Sequence, residues 1–322
     1  MIDFRYHLVS IVAIFLALSV GIVLGATFLQ GPAIELANQT VGRVSQHNEE
    51  LLRQVQTLQG RETGNDGFIG GVTPQLVQGE LAGERVLIVE APGVTAGLRD
   101  AVQESLGQAG AAVTGRVAVT DRFFDPKQSG VLDQLALAAK PAEMSFSEGL
   151  TPYDRAAAVL AAAVVTADSA EGGRENPAAS GVLDAFEKGG MITTSGDPAQ
   201  RATLAVVMAP ADPYEGENAE SQNAALVSLA AGLDAADGGT IVAGPLSASG
   251  AGGLIAALRD SGEPSGGVSS VDTADMPVGR IVLVYALREQ LAGDAGHYGL
   301  GAGASAFEPS PAASPTPRSS GG

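Results

Sequence analysis

Residues 8–29 contain no charged side chain and follow a short leader, residues 1–7. At 1.5 Å per residue this stretch forms a helix of about 33 Å, enough to cross a hydrocarbon core of about 30 Å. A cleaved secretory signal is the alternative. Its apolar region is usually about 7–15 residues long behind a basic leader, whereas Asp3 offsets Arg5 here. The sequence therefore predicts an uncleaved transmembrane helix over 8–29.

The charges that flank this helix predict its orientation. Arg5 and the terminal amine precede it, whereas the first charge after it is Glu35 and the first basic residue is Arg43. By the positive-inside rule, residues 1–7 are a cytoplasmic leader and the rest of the chain is extracytoplasmic.

Composition excludes several classes of partner and site. Lys and Arg total 18 against 36 Asp and Glu, and the formal charge of −18 disfavours nucleic acid and anionic lipid as partners. Because the chain has no Cys, it forms no disulfide, thiolate metal site or thiol nucleophile. With aromatic residues at only 4%, the core must be built from small aliphatic side chains.

Small residues recur at every fourth position of the apolar helix. They are Ala13, Ala17, Gly21 and Gly25. Stacked on one face, such residues let a second helix approach closely in lipid. The alternative is that Gly and Ala are simply frequent in membrane helices.

Residues 33–60 carry a heptad pattern. The apolar a and d positions are Ile34, Ala37, Val41, Val44, Leu51, Val55 and Leu58, and Asn48 occupies one a position. A buried Asn at a selects register and oligomer state in a coiled coil. The alternative is an amphipathic helix that folds back on the globular domain. With the small-residue face, the pattern predicts a parallel homodimer, and Pro32 is expected to break or kink the join to the membrane helix.

Five glycines between residues 60 and 71 predict the end of the coiled coil. We therefore expect a linker over 61–84.

From 85 to 298, short apolar runs alternate with helical segments, which predicts a Rossmann-like, mostly parallel α/β domain. The predicted strands are 85–90, 112–120, 191–194, 204–208, 240–243 and 268–271. The predicted helices are 95–109, 151–167, 178–188, 219–236, 252–261 and 278–292. Ligands of such sheets bind outside the carboxyl ends of the strands, here the loops after Val89, Thr194, Met208 and Ala243.

These loops lack the motifs of common enzymes. Residues 91–97 do not have the G-x-G-x-x-G spacing of a dinucleotide site, and 244–250 miss the G-x-S-x-G register of a nucleophile elbow. His297 is the sole imidazole of the α/β domain. The sequence therefore predicts that the chain is not an enzyme, and no cofactor is evident.

Two further segments carry expectations. The acidic loop residues Asp212, Glu215, Glu217 and Glu220 form either a site for a hard cation or a solvated rim, since their spacing matches no EF-hand. The Gly-, Ala-, Ser- and Pro-rich residues 299–322 predict a disordered tail.

Several segments together resemble a known family. They are the opening FRYHLVS at 4–10, the continuation IVAIFLALSVGIVLG, the coiled-coil segment, the LAGERVLIVEAPG strand and the closing GHYG at 296–299. The sequence is similar along nearly its whole length, except the tail, to the actinobacterial MctB family, the mycobacterial copper transport protein B type. The resemblance implies a channel-forming envelope protein that lowers intracellular copper, with the outer membrane as an alternative location.

A role in copper transport is implied by this resemblance alone. Cu(I) prefers sulfur ligands, and the five methionines form no cluster in the sequence. His297 is a candidate ligand, although a lone histidine is more often structural. The sequence thus leaves open a dimeric scaffold or regulator that binds another envelope protein.

Overall fold

The computed structural model describes residues 4–262 and 267–310, without the side chains of 4, 27–38 and 40. The chain divides into two compact units, Met1–Asn65 and Asp66–Gly322.

The first element is a single long helix, α1 (Phe4–Val77). A break or a kink is expected at Pro32, and the helix continues through this residue, so the break is wrong: proline removes one backbone hydrogen bond without ending the helix. The predicted linker is also wrong over 61–77, because the glycine-rich stretch is helical as well.

Tertiary contacts within the second unit explain why the glycine-rich part of α1 stays helical. Each helical glycine costs about 1 kcal/mol relative to alanine. Thr73 and Val77 are nevertheless buried, and Ile69, one turn earlier, packs against the same core. The Tyr285 hydroxyl also donates to the Leu76 carbonyl at 3.1 Å. Such contacts outweigh intrinsic propensity.

The strands and helices of the α/β domain follow the predicted order closely. The strands are β1 (Arg85–Glu90), β2 (Ala112–Val119), β3 (Ile192–Gly196), β4 (Leu204–Met208), β5 (Thr240–Ala243), β6 (Ser269–Val271) and β7 (His297–Tyr298). The helices are α2 (Ala96–Gln108), α3 (Asp121–Phe124), α4 (Ser129–Ala139), α5 (Pro152–Val164), α6 (Ala179–Lys188), α7 (Ala219–Asp234), α8 (Leu254–Asp260) and α9 (Pro277–Leu291). The sequence analysis missed α3, α4 and β7.

The seven described strands form one sheet in the order β3-β2-β1-β4-β5-β6-β7. All neighbouring pairs are parallel except β2 and β3, which are antiparallel. The chain therefore winds outward in both directions from β1 and β4, which confirms the mostly parallel α/β architecture.

Helices cover the two faces of this sheet unequally. The larger core contains Leu87, Val89 and Val117 with side chains from α4 to α8. The smaller core contains Val86 and Ile88 with side chains from α2, α9 and the end of α1. Because all helices between β2 and β3 pack on the larger core, the strip formed by β2 and β3 is less covered on the α2 side.

The segment after β7 is ordered as far as the structure describes it. Gly299 N–H donates to the Ala306 carbonyl at 3.0 Å, and Ser305 N–H donates to the His297 carbonyl at 2.8 Å. The predicted disordered tail is therefore wrong for 299–310, and residues 311–322 lie outside the described residues.

Candidate functional site

The apolar part of α1 meets the requirements for a membrane span. Arg5–Ala26 is 22 residues long with a mean hydropathy of 2.8, and none of its window is buried within the protein. The predicted small residues Ala13, Ala17, Gly21 and Gly25 all lie in this span. A Cβ atom added at either glycine would meet no atom within 4 Å, so this face is open for contact with another helix.

The heptad part of α1 exposes its apolar residues. The seam face is formed by Val41, Val44, Asn48, Leu51, Val55 and Leu58, and its apolar members are between 45% and 65% exposed. Leu52, which lies outside the predicted seam, is also 54% exposed and widens the apolar stripe. The side chains of Ile34 and Ala37 lie outside the described residues. The structure leaves this face uncovered.

At the carboxyl ends of β1 and β4, the crevice that usually binds ligands in such sheets is filled by the protein itself. Ala91 N–H donates to the Met208 carbonyl at 3.2 Å, and the Tyr214 hydroxyl donates to the Pro92 carbonyl at 3.1 Å. Burial, and less strongly the charge of Asp121, raise the pKa of Tyr214, which therefore stays a neutral donor. The Tyr214 side chain therefore occupies part of this crevice.

The loop after Thr194 does not belong to the same edge of the sheet. Because β3 is antiparallel to β2, its carboxyl end lies beside the amino end of β2, where Gly196 pairs with Gly115. The sequence analysis grouped this loop with the other carboxyl-end loops, and this grouping is wrong.

The acidic loop forms a solvated rim. Asp212, Glu215, Glu217 and Glu220 are all exposed. Among the described residues, no group of three or more His, Asp or Glu side chains could hold a metal ion. The cation-site alternative has no structural support.

The surroundings of His297 disfavour metal binding. Arg259 Nε donates to Ser270 Oγ at 3.0 Å, and the same Oγ atom forms a hydrogen bond with His297 Nδ1, 3.1 Å away. Which of these two atoms donates depends on the tautomer of the ring. Burial, and the nearby charge of Arg259, lower the pKa of His297. The contact of Nδ1 with Ser270 and the positive charge of Arg259 both disfavour a metal cation at this ring.

A buried ion pair beside His297 explains why the C-terminal segment is ordered. Arg259 Nη1 and Asp272 Oδ2 are 2.8 Å apart, with side chains only 3% and 0% exposed. The Asp272 carboxylate also accepts N–H bonds from Leu300 and Gly301, at 2.8 and 2.9 Å. A Cβ atom at Gly299, whose φ is +125°, would lie on this carboxylate, so the position requires glycine.

The sequence analysis missed the Arg259 and Asp272 pair. The only hint in the sequence of an ordered segment is the alternation of glycines after β7, at Gly299, Gly301 and Gly303. The residues that contact this segment come from other elements of the fold. The Arg259 and Asp272 pair holds the segment after β7 in place, and the two opposite charges neutralise each other.

The methionines of the described residues are distributed over the two cores and the start of α9. Met191 and Met208 are fully buried in different cores, Met144 is partly buried, and Met276 precedes α9. Of the two fully buried sulfurs, Met191 therefore belongs to the larger core and Met208 to the smaller one, on opposite faces of the sheet.

Comparison with known proteins identifies relatives along almost the whole chain. The family described as copper transport outer membrane protein, MctB, matches residues 1–309. Proteins named copper transporter MctB from Mycobacterium tuberculosis (strain H37Rv) and Mycobacterium bovis are 29% identical over 309 residues, which is 94% of this chain and 98% of theirs. The relative from Mycobacterium leprae is 28% identical over 316 residues, covering 95% and 99% of the two chains. This match, which spans both the apolar helix and the α/β domain, shows that the chain belongs to the MctB family.

Proposed function

We propose that this protein is a single-pass membrane protein that takes part in copper efflux or copper homeostasis. The observation that carries the proposal is the family match over residues 1–309. It covers the membrane helix and the α/β domain together, so the similarity extends to the whole architecture. The relatives are named transporters, which also favours a role other than catalysis for this chain.

Charge asymmetry supports an orientation with the N-terminus in the cytoplasm and the α/β domain outside the cytoplasmic membrane. Arg5 stands at the start of the span Arg5–Ala26, and the next Lys or Arg, Arg43, lies 17 residues beyond Ala26. Attachment of the domain to the outer membrane, as the family description implies, is an alternative for the same architecture.

The described residues favour an indirect or assembled role in copper movement. They contain no cluster of His, Asp and Glu suited to a metal ion, and a single membrane helix cannot enclose a path for an ion. Copper as a substrate would therefore need a route formed by several chains or by partner proteins. The protein has no evident resident cofactor.

Two features of α1 favour self-association, which would bring several chains together. The open glycine face at Gly21 and Gly25 and the exposed seam face lie on the same helix, α1. Val at a and Leu at d positions favour two-stranded parallel coiled coils. We therefore propose a parallel homodimer through both segments, anchored in lipid by Arg5–Ala26.

Deletion of the gene followed by growth on graded copper tests the copper role. The proposal expects copper-sensitive growth and raised cellular copper, both restored by the wild-type chain. A His297→Ala chain should restore resistance as well, because the contact of His297 Nδ1 with Ser270 and the nearby charge of Arg259 disfavour copper at this ring. Copper tolerance that is unchanged by deletion would contradict the proposal.

A dimeric scaffold that binds another envelope protein is the second candidate. It is favoured by the combination of an exposed apolar helix face with the lack of a metal-binding cluster among the described residues. The same deletion discriminates between the two functions: defects of division or of the cell wall without copper sensitivity would favour the scaffold.

A further inference from the structure

The α2-facing side of β2 and β3 contains an open polar cleft of about 390 Å³. Arg116 on β2 lies directly opposite Ile88 on β1 and Ser195 on β3. All three side chains therefore project to the same face of the sheet, the face on which α2 covers β1. Beyond α2, no described helix covers this strip. The cleft lies between the first turns of α2 and the two strands, with Arg99 and Gln103 on its helical wall.

Two guanidinium groups from different elements meet at one carboxylate beside this cleft. Arg116 Nη1 is 3.3 Å from Glu90 Oε1, and Arg99 Nη1 is 3.7 Å from Glu90 Oε2. Both distances exceed the 2.7–2.9 Å typical of charge-assisted hydrogen bonds. Arg116 Nε is held more firmly by Ser195 Oγ, at 2.9 Å. Glu90 therefore positions both groups without using their full capacity to donate.

The remaining donors of the two arginines are available. Their side chains are only 23% and 31% exposed, so they are partly shielded from water. The Nη2 atoms of Arg99 and Arg116 have no hydrogen-bond partner within the described part of the chain. Nearby, the Thr114 hydroxyl oxygen is buried and unpartnered, and Thr114 lines the same cleft. A group that accepts several hydrogen bonds would satisfy these donors.

The charges around the cleft select the class of ligand. Glu90 and Asp100 already balance the two arginines, so a multiply charged group such as phosphate would meet two like charges. Asp100 is 67% exposed and binds Arg99 Nε at 2.9 Å. A carboxylate is thus already present at the mouth of the cleft, on a side chain that can move aside.

We propose that this cleft binds a single carboxylate group of an extracytoplasmic peptide or acidic sugar, held between Arg99 and Arg116. The planar fork of arginine matches a carboxylate with two parallel hydrogen bonds. The ligand exchanges with Asp100 at Arg99, while Glu90 and Ser195 keep Arg116 in place.

Protection of arginines from phenylglyoxal, measured by mass spectrometry on the full chain in zwitterionic nanodiscs, tests the proposal. The two carboxylate probes are N-acetylalanine and glucuronate, and each is compared with its neutral analogue, N-acetylalanine amide or glucose. Inorganic phosphate is the third probe. At about 10 mM probe and a Kd of about 1 mM, modification of Arg99 and Arg116 should slow about tenfold. Arg174, an exposed arginine outside the cleft, should react at an unchanged rate.

The two carboxylate probes distinguish the source of the ligand, and protection by either supports the proposal. Protection by phosphate alone, equal protection by the neutral analogues, or no protection by any probe would overturn it.

Substitutions then test the geometry. Arg116→Lys keeps the charge but loses the fork, and protection of Arg99 should require about tenfold more ligand. Arg174→Lys is the matched control and should leave affinity unchanged. Asp100→Asn, on an exposed side chain that folding does not need, should tighten binding about threefold because the competing carboxylate is gone. Unchanged affinity in both Arg116→Lys and Asp100→Asn would contradict the site even if a carboxylate binds elsewhere.

Discussion

Asp237 is a buried carboxyl group that should make the stability of the α/β domain depend on pH. It is 7% exposed, and its oxygens accept bonds from Gly239 N–H at 2.8 Å and from the Thr240 hydroxyl at 2.9 Å. Within the described residues it forms no ion pair, and Asp234 is a nearby like charge. Burial first, and Asp234 to a lesser extent, raise the pKa of Asp237 from 3.8 to about 7.

The sign and size of the effect follow from proton binding. Between pH 4 and 7 the folded protein keeps this proton, whereas the unfolded chain has lost it. Stability should therefore fall as the pH rises from about 4 to about 7 and level off above that value. A shift of about three units at about 1.4 kcal/mol each corresponds to a loss of about 4 kcal/mol.

Asp237→Asn removes the titration while keeping the shape of the side chain. The amide oxygen still accepts the Gly239 N–H, and the Thr240 hydroxyl must turn to accept from the amide nitrogen, at a cost of about 1 kcal/mol. At pH 8 the variant should be more stable than the wild type by about 3 kcal/mol. Near pH 4 the two proteins should agree within about 1 kcal/mol.

Urea unfolding of residues 66–322, followed by circular dichroism at about pH 4, 5.5, 7 and 8, measures this difference. Asp212→Asn, in the exposed acidic loop, is the matched control and should follow the wild-type profile. The reasoning is refuted if the difference in unfolding free energy between wild type and Asp237→Asn is constant over this range.

Three further predictions concern assembly and the chain end. Asn48→Leu should strengthen self-association or change the oligomer number, since it replaces the polar a position of the seam face; unchanged mass in analytical ultracentrifugation would argue against that seam. Gly21→Ile should weaken pairing of the membrane helix in a dimerisation reporter, and equal signal would exclude that interface. Asp272→Ala leaves Arg259 buried and unpaired, so it should cost about 3–5 kcal/mol and abolish amide protection over 297–306 in hydrogen exchange; retained protection would show that other contacts hold the segment.

The strands of the α/β domain were predictable because their cause is local. The prediction of β1, β4 and β5 agrees with the structure in both type and bounds. Each is a short, unbroken apolar run, which is typical of a parallel strand covered on both faces. Helices α2, α5 and α7 were likewise found within a few residues of their ends. Apolar spacing marks all three in the sequence, and a capping Thr also marks the start of α2 and of α5.

The missed elements depend on distant residues. Helix α4 has only a weak sequence signal, the helical spacing of the apolar residues Leu132 and Ala136. Strand β7 consists of two residues that are extended only because β6 lies beside them. The segment 299–310 reads as disordered by composition, and it is ordered by Arg259 and Asp272 from other parts of the fold.

The cleft at Arg99 and Arg116 had no signature in the sequence. The two residues are 17 positions apart by number, on a helix and a strand, and neither belongs to a known motif. What joins them is the pairing of β1 with β2, which brings Glu90 between them.

By itself, the sequence determined the long apolar segment near the N-terminus, the heptad pattern of α1 and the alternation of strands and helices. These depend on hydropathy and periodicity over neighbouring residues. Tertiary structure alone decided the order of the strands, the reversed direction of β3, the closure of the crevice by Tyr214 and the burial of Asp237. Each of these depends on contacts between residues far apart in the chain, and local patterns do not encode which distant residue supplies the partner.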